Sequence, residues 1–397
     1  MNSRSTFHDP ADDVPWALAE EHRQWQAVVR TFADEVVAPG ATERSINEEF
    51  ALDLQRQVGE LGVFGLRVAE EYGGSASDVT SVCVAAEQLA RVDGSFAGGV
   101  HAQYMTCTLL DAFATEEQKR EILVPAVNGE KLVAFGLTEP QGGSDAGNLK
   151  TYARRDGDDW VVNGAKMFIT NAGTPISSHV LTIVATGEGR PGRPSASMFL
   201  IPLDAPGVTV SGHFHKLGWR SSDTRAISFD DVRVPSSAMV GDEGRGYAQA
   251  LNTLTWARLP IGAMSTGLAQ GCLEETVRFV QERESFGRTL AEHQAVAFDV
   301  ADIAAEVAVA RTLTYDGCFK FDRGLPGAEQ ACAVVKLVAG ELVNKVGYQA
   351  TQLHGGYGFM DESPVTRHYR DARVLAIGEG TSHVQRMLIA RGLGLPA

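Results

Sequence analysis

Apolar positions along this 397-residue chain change their period twice. Over residues 15–129 the spacing is helical: Trp25, Val28, Val29, Phe32 and Val36 fall at i, i+3, i+4, i+7 and i+11, which predicts one apolar helix face. Further helical stretches at 54–61 and 79–92 are separated by glycine-rich turns such as Gly73-Gly74. From residue 131 to about 240, β-branched and aromatic residues come in short runs broken by turn residues. The run 151–155 is separated by Asp156-Gly157-Asp158-Asp159 from 160–162, and Asn163-Gly164 then leads into 166–170. An Asn-Gly pair between apolar runs predicts a hairpin, because a type I′ turn needs positive φ at both central residues. Runs at 179–185, 196–202 and 226–232 complete a small antiparallel sheet or barrel, with 187–194 as an exposed loop. These segments are too short and too closely spaced for crossover helices, which argues against a parallel sheet. From residue 246 long helical patterns return at 246–282, 290–322, 326–353 and 380–391, suited to a four-helix bundle. The expected fold is α+β: an N-terminal helical domain over 1–130, a middle antiparallel β domain over 131–242 and a C-terminal helical bundle over 243–397.

Length permits two or three packed domains with a large core. No apolar run approaches the roughly 20 residues that span a bilayer, and residues 1–13 are polar and acidic, with no signal-peptide core. No membrane association and a cytoplasmic location are therefore expected. Cys83, Cys107, Cys272, Cys318 and Cys332 are scattered, with no CxxC pair and no His/Cys cluster at ligand spacing, so free thiols are expected and neither a metal site nor a disulfide frame. A net charge of −15 disfavours nucleic acid as a partner.

Near the C-terminus, Glu379 stands between Gly378 and Gly380 at the mouth of a helix. Flanking glycines allow a tight turn and close approach of a ligand. Thr381 or Ser382 can cap the following helix, whose Val384, Met387 and Leu388 share a face. A lone GEG tripeptide also suits an ordinary acidic turn. Here it is one of four ordered blocks.

The stretch from Ile377 to Leu393 resembles the C-terminal signature of the acyl-CoA dehydrogenase family. Phe135-Gly-Leu-Thr-Glu-Pro140, running on into Gly142-Gly-Ser-Asp-Ala-Gly147, is similar to that family's first flavin-binding segment. Asn163-Gly-Ala-Lys-Met-Phe-Ile-Thr-Asn171 resembles the strand beside the flavin ring. Arg283-Glu-Ser-Phe-Gly287, His293-Gln294 and Gln352-Leu-His-Gly-Gly356 resemble the segments around the adenine half of FAD. The likeness runs from about Trp16 to Gly392.

The resemblance implies FAD-dependent desaturation of an acyl thioester between Cα and Cβ. Glu379 is the implied catalytic base and flavin N5 the hydride acceptor. Removing a proton α to a thioester calls for a carboxylate made more basic by burial and for hydrogen bonds to the carbonyl oxygen. Implied FAD contacts are Phe135, Leu137, Thr138, Gly143, Ser144, Phe168 and Thr170, together with Thr381. Arg283, Ser285, Phe286, Gln294, Gln352, Gly355 and Gly356 would reach the FAD of an adjacent subunit, which implies a homotetramer. Plain core packing also suits Phe135 and Phe168, and Arg283 also suits a surface cation at a helix end. Substrate contacts fall on Ser144, Arg258 and Gly380. An electron-transferring flavoprotein is the implied acceptor.

Two departures from the family pattern bear on the substrate. Some relatives take their base from the position before an arginine that matches Arg258, but Ala257 stands there. An acidic residue that helps to bind CoA is often found three positions before that arginine; here it is Thr255, which leaves room for an acyl carrier protein in place of free CoA. Gly378 occupies a position that often carries tyrosine, so a branched or bulky acyl group is expected to fit. A flavin monooxygenase on the same fold is a further alternative, disfavoured by Glu379 because such relatives generally lack that base.

Overall fold

The computed structural model describes residues 14, 16–190 and 192–396; the polar N-terminal stretch 1–13 lies outside the described residues. The chain forms two compact units, one drawn from Met1–Glu43, Val79–Gly94 and Arg258–Ala397 and the other from Arg44–Asp78 and Ser95–Ala257. Among the described residues no helix is long and apolar enough to cross a membrane.

The second unit is built on a sheet of β1 (Leu132–Gly136), β2 (Tyr152–Asp156), β3 (Asp159–Thr170), β4 (Ser177–Arg190), β5 (Arg193–Pro202), β6 (Val208–Val210), β7 (Thr224–Pro235) and β8 (Met239–Val240). Strands follow one another in the order β6-β7-β3-β2-β4-β5-β8, with β1 paired to β4. Long ladders such as β3–β7 and β4–β5 are antiparallel, as expected, while β1 joins β4 in parallel. Trp160, Val162, Phe199, Ile201, Ile227 and Phe229 form its buried core.

Asn163-Gly164 does not make the expected hairpin. β3 runs straight through it, and the hairpin between β2 and β3 turns at Gly157 instead, where φ is +67°. Asn163 and Gly164 sit at a register shift opposite β7, where Asn163 Oδ1 accepts from the Asp231 amide at 2.9 Å and Nδ2 donates to Asp231 Oδ1 at 3.0 Å. This bulge moves the inward phase of β7 from Ile227 and Phe229 to Val232 and Val234. A β-carbon on Gly164, whose φ is +137°, would lie 2.6 Å from Thr151 Cα, so close strand approach rather than a turn requires the glycine. The 187–194 loop is also shorter than expected: β4 and β5 continue as an exposed ladder to the pair Arg190–Arg193. Backbone pairing persists there after the apolar alternation has ended.

The first unit is helical, containing Glu20–Phe32, Val79–Val92, Arg258–Glu282, Gln294–Asp322, Ala328–His354, Pro364–Ala372 and Ser382–Gly392. The expected helix 246–282 is two helices, Gly246–Trp256 and Arg258–Glu282. Pro260 has no amide hydrogen to return to the Trp256 carbonyl, and its ring is tolerated only in a helix's first turn. The short helix Pro364–Ala372 was not anticipated. In the N-terminal helix Val28 is exposed, and Val29 is buried with Ala33 and Val37, because the helix passes into a wider π turn at Ala33–Val37.

Helix Val79–Val92 packs closely on Arg258–Glu282, since β-carbons on Gly267 and Gly271 would lie 2.0 and 2.2 Å from the carbonyl oxygens of Glu87 and Arg91. The buried Glu87 carboxylate accepts from Arg311 Nε at 2.9 Å and from the Tyr315 hydroxyl at 2.8 Å, and Arg311 also donates to Gln270 at 2.9 Å. Such a buried charge is tolerable only because its lone pairs are occupied.

Candidate active site

In the helical unit the short helix Pro364–Ala372 leads through a 3₁₀ turn, Arg373–Ala376, to Gly378, whose amide donates to the Val374 carbonyl at 2.8 Å. The turn then reverses at Glu379 itself, with φ +53°, and at Gly380, with φ +85°. Gly378 does not take the left-handed conformation expected of a flanking glycine; the carboxylate residue does. Holding a non-glycine residue there costs of order 1–3 kcal/mol, and such residues concentrate at functional sites. Thr381 caps helix Ser382–Gly392, its Oγ1 accepting from the Val384 amide at 3.3 Å. Val384, Met387 and Leu388 are only partly covered, and Gln385 is the side chain this helix buries completely.

Glu379 keeps part of its surface open while protein atoms enclose it. Burial raises its proton affinity above that of an ordinary glutamate, and the nearby charges of Arg258 and Lys336 pull the other way. Arg258 opens its helix and is partly buried, and its Nε has no hydrogen-bond partner among the described residues. Lys336 lies on helix Ala328–His354, is 1% exposed, and donates from Nζ to the Gly380 carbonyl at 2.5 Å. Gln385 Nε2 donates to the same carbonyl at 3.0 Å and to that of Glu379 at 3.2 Å. Arg258, Gly380 and Thr381 thus lie around Glu379. Lys336 and Gln385 were missed; the signal for Lys336 was a lone cation inside the apolar run Ala333-Val-Val-Lys-Leu-Val338.

Elsewhere in the same unit, Arg283 lies with its guanidinium 5.6 Å from the Tyr357 ring, beside the end of helix Ala328–His354, where Gln352, Gly355 and Gly356 are exposed. Gly355, at φ +57°, and Gly356 have open space where a β-carbon would stand, a cradle suited to a ligand. Ser285 belongs to a two-strand turn, Glu284–Ser285 with Arg288–Thr289, that displays Phe286 95% exposed at φ +53°. Gln294 opens the next long helix and is exposed.

In the sheet unit, the segment after β1 is tied to β3. The Met167 amide donates to the Thr138 carbonyl at 2.8 Å, and the buried Lys166 Nζ donates to Glu139 Oε1 and the Ile183 carbonyl, both at 2.7 Å, and to the Leu137 carbonyl at 3.3 Å. These bonds bring Leu137, Thr138 and Phe168 together, with Gly143 against Thr138. Phe168 is 67% exposed at φ +61°, which rules out the plain-core reading of that ring. Phe135 and Thr170 are half-buried, Ser144 is exposed, and Gly142 has open space where a β-carbon would stand. An exposed aromatic ring on β3, with a hydroxyl and an open glycine on the segment tied to it, matches what a flavin ring and its phosphates require. Glu139 and Lys166, which hold this segment, stand 27 residues apart in two different motifs, and no local spacing marks their pairing.

No local spacing suggested a cation site, yet the fold of this unit brings Glu48 to His213 and His215, with His215 Nδ1 2.7 Å and His213 Nε2 3.3 Å from Glu48 Oε2. Burial raises the Glu48 carboxyl, but the two imidazoles outweigh it and hold the group below its ordinary value.

Three family models match in order: "Acyl-CoA dehydrogenase, N-terminal domain" over residues 19–130, "middle domain" over 134–232 and "C-terminal domain" over 244–394. The mitochondrial isobutyryl-CoA dehydrogenase of Dictyostelium discoideum is 37% identical, over 98% of this chain and 93% of its own. The butyryl-CoA dehydrogenase structure from Megasphaera elsdenii superposes with a TM-score of 0.89 at 34% identity, covering 95% of this chain and 98% of that one. A glutaryl-CoA dehydrogenase from Mycobacterium smegmatis in complex with FADH2 gives a TM-score of 0.90 at 29% identity, covering 97% and 98%. The chain belongs to the acyl-CoA dehydrogenase family of FAD-dependent oxidoreductases acting on CH–CH bonds.

Proposed function

We propose that this protein desaturates an acyl-CoA thioester between Cα and Cβ, with Glu379 as the catalytic base. The observation that carries this reading is the Glu379 turn: a carboxylate in left-handed backbone, enclosed by protein, with proton affinity raised by burial. A base whose pKa lies nearer the working pH removes a weakly acidic α-proton more effectively. Glu379 takes that proton on a carboxylate oxygen, and its backbone N–H is assigned to the thioester carbonyl, where negative charge develops as the C–H bond breaks. Bound FAD would supply the two-electron acceptor for the β-hydrogen and its bonding pair, leaving the C=C double bond. Leu137, Thr138, Gly143, Ser144, Phe135, Phe168, Thr170 and Thr381 are assigned to that cofactor.

Arg258, with its unpartnered Nε, is assigned to the substrate side along with Gly380 and Ser144. Butyryl and isobutyryl groups are the first to test, since relatives named for them cover nearly the whole chain and Gly378 leaves space beside the base. The exposed Phe286, Gln294, Gln352, Gly355 and Gly356, with Arg283 and Ser285, support a cofactor site completed by a second copy in a homotetramer. An electron-transferring flavoprotein is the proposed acceptor. Three domains divided near residues 130 and 242 are part of the same reading.

A carrier-protein thioester is the second reading, favoured by Thr255, whose hydroxyl is spent on the Leu251 carbonyl at 2.9 Å. Anaerobic titration of the flavin-loaded protein with butyryl-CoA and isobutyryl-CoA tests both. Bleaching of the flavin absorbance is expected. Inertness toward CoA esters with bleaching by the carrier-bound acyl group would favour the second reading, and inertness toward both would defeat desaturation.

A further inference from the structure

We propose that Lys336 is a positioning residue for the base: its ammonium, seated against the Gly380 carbonyl, holds the Glu379 turn in its reversed conformation and places a fixed positive charge behind the carboxylate. This rests on the reading of Glu379 as the base.

Two features of the geometry support it. A lysine 1% exposed on an apolar helix face is costly to bury, and it is tolerated here by a charge-assisted bond of 2.5 Å to one backbone oxygen. That oxygen belongs to the residue directly after Glu379, and it is held a second time by Gln385 at 3.0 Å. Gly380 is at φ +85°, and a β-carbon there would lie 2.7 Å from Gln385 Nε2, so the turn and its two donors fit only as a set. With the carbonyl clamped, the carboxylate one residue earlier cannot relax toward ordinary backbone without breaking two hydrogen bonds. The second feature is electrostatic. Burial lowers the Lys336 pKa to about 8, the Glu379 charge raises it, and Lys336 in turn opposes the rise at Glu379. Each group therefore stabilises the charged form of the other. The turn thus holds a carboxylate more basic than a solvated glutamate, with a cation beside it that limits the rise.

A lysine that served only to fill the core would leave the ionisation of Glu379 untouched, so the tests read that ionisation. Lys336→Met in the flavin-loaded enzyme is expected to lower kcat by up to about 100-fold, as misplacement of a reacting group by about 1 Å does. KM should change little. The acid limb of its kcat/KM profile should move to higher pH, because the charge favouring carboxylate has gone. Lys336→Arg, which keeps charge and donor, should return the limb toward the wild-type position. Should Lys336→Met not fold, a stability comparison between wild type and Glu379→Gln decides. A lysine whose pKa is lowered by folding binds fewer protons folded than unfolded, so stability rises with pH across the interval between the two values. Without the Glu379 charge that interval starts lower, so the melting temperature of Glu379→Gln should climb from a lower pH than that of wild type. Identical profiles in both proteins, or a Lys336→Met enzyme with unchanged kcat and acid limb, would overturn the proposal. If Glu379→Gln still bleached with substrate, the base assignment itself would fail, whatever the lysine does.

Discussion

Lys166 Nζ lies 2.7 Å from Glu139 Oε1, with both side chains buried in the sheet unit. The pair fastens the Leu137–Thr138 segment to β3, where Lys166 lies, and Glu139 ties it also to the chain just before β2 by accepting from the Lys150 and Thr151 amides at 2.7 and 3.1 Å. Replacing one partner leaves a buried charge uncompensated. Lys166→Met should therefore destabilise the fold by about 3–5 kcal/mol. It should also release FAD more readily, since two acceptors on the segment after β1, the Leu137 carbonyl and Glu139, lose their donor. Chemical denaturation and flavin retention on gel filtration measure the two effects, and wild-type values in both would remove the pair from this role.

The same pair predicts acid sensitivity. Burial raises the Glu139 carboxyl, but Lys166, the Lys150 amide and Gln141 outweigh it and bring the group below its ordinary value. A carboxylate lowered by folding contributes stability that is complete above its unfolded pKa and is lost as pH falls through the lower folded value. Stability should thus decline below about pH 4, the unfolded carboxylate range. In a protein carrying Glu139→Gln with Lys166→Met the decline should be shallower, as followed by circular dichroism.

Glu379→Gln should keep flavin and fold yet abolish bleaching by substrate, because an amide preserves shape and cannot accept the proton. In the wild-type enzyme, activity should appear on the alkaline side of an ionisation above the ordinary glutamate value, since burial raises the group that must be anionic. A kcat/KM profile with its acid limb at an ordinary carboxylate pKa would contradict the enclosed site.

Gly378→Tyr probes acyl shape. Gly378 is outside the left-handed region, and a β-carbon there would meet only Val374, at 3.6 Å, so the backbone tolerates a side chain. Stability should stay within about 0.5 kcal/mol of wild type, as for substitutions that disturb no packed feature. Turnover of isobutyryl-CoA should fall more than that of butyryl-CoA, because the ring takes up space beside Glu379. Equal losses on both esters would show that Gly378 does not set acyl shape.

Gly380→Ala should be less benign. The position requires φ +85°, and the added β-carbon would lie 2.7 Å from Gln385 Nε2. A loss of about 1–2 kcal/mol is expected for the strained backbone, with a larger fall in kcat than in stability as the Glu379 turn shifts. Melting and steady-state kinetics on one preparation separate the two.

Periodicity alone marked the helical and β segments, because a 3.6-residue or two-residue repeat of apolar positions is a local property of the chain. Motif order marked Glu379 and the segments around Phe135, Phe168 and Gly355 for the same reason. What the tertiary structure decided was each position where a distant atom intervenes. Asn163-Gly164 became a bulge because Asp231 lies across the ladder, and the 246–282 pattern broke in two at a Pro260 whose meaning depends on the Trp256 carbonyl. Glu379 took the reversed backbone, rather than Gly378, because Lys336 and Gln385 converge on the next carbonyl from another helix and from one turn further on. Hydrogen bonds between residues far apart in the chain leave no periodic trace, so only folding reveals which buried cation is bonded to the turn of Glu379.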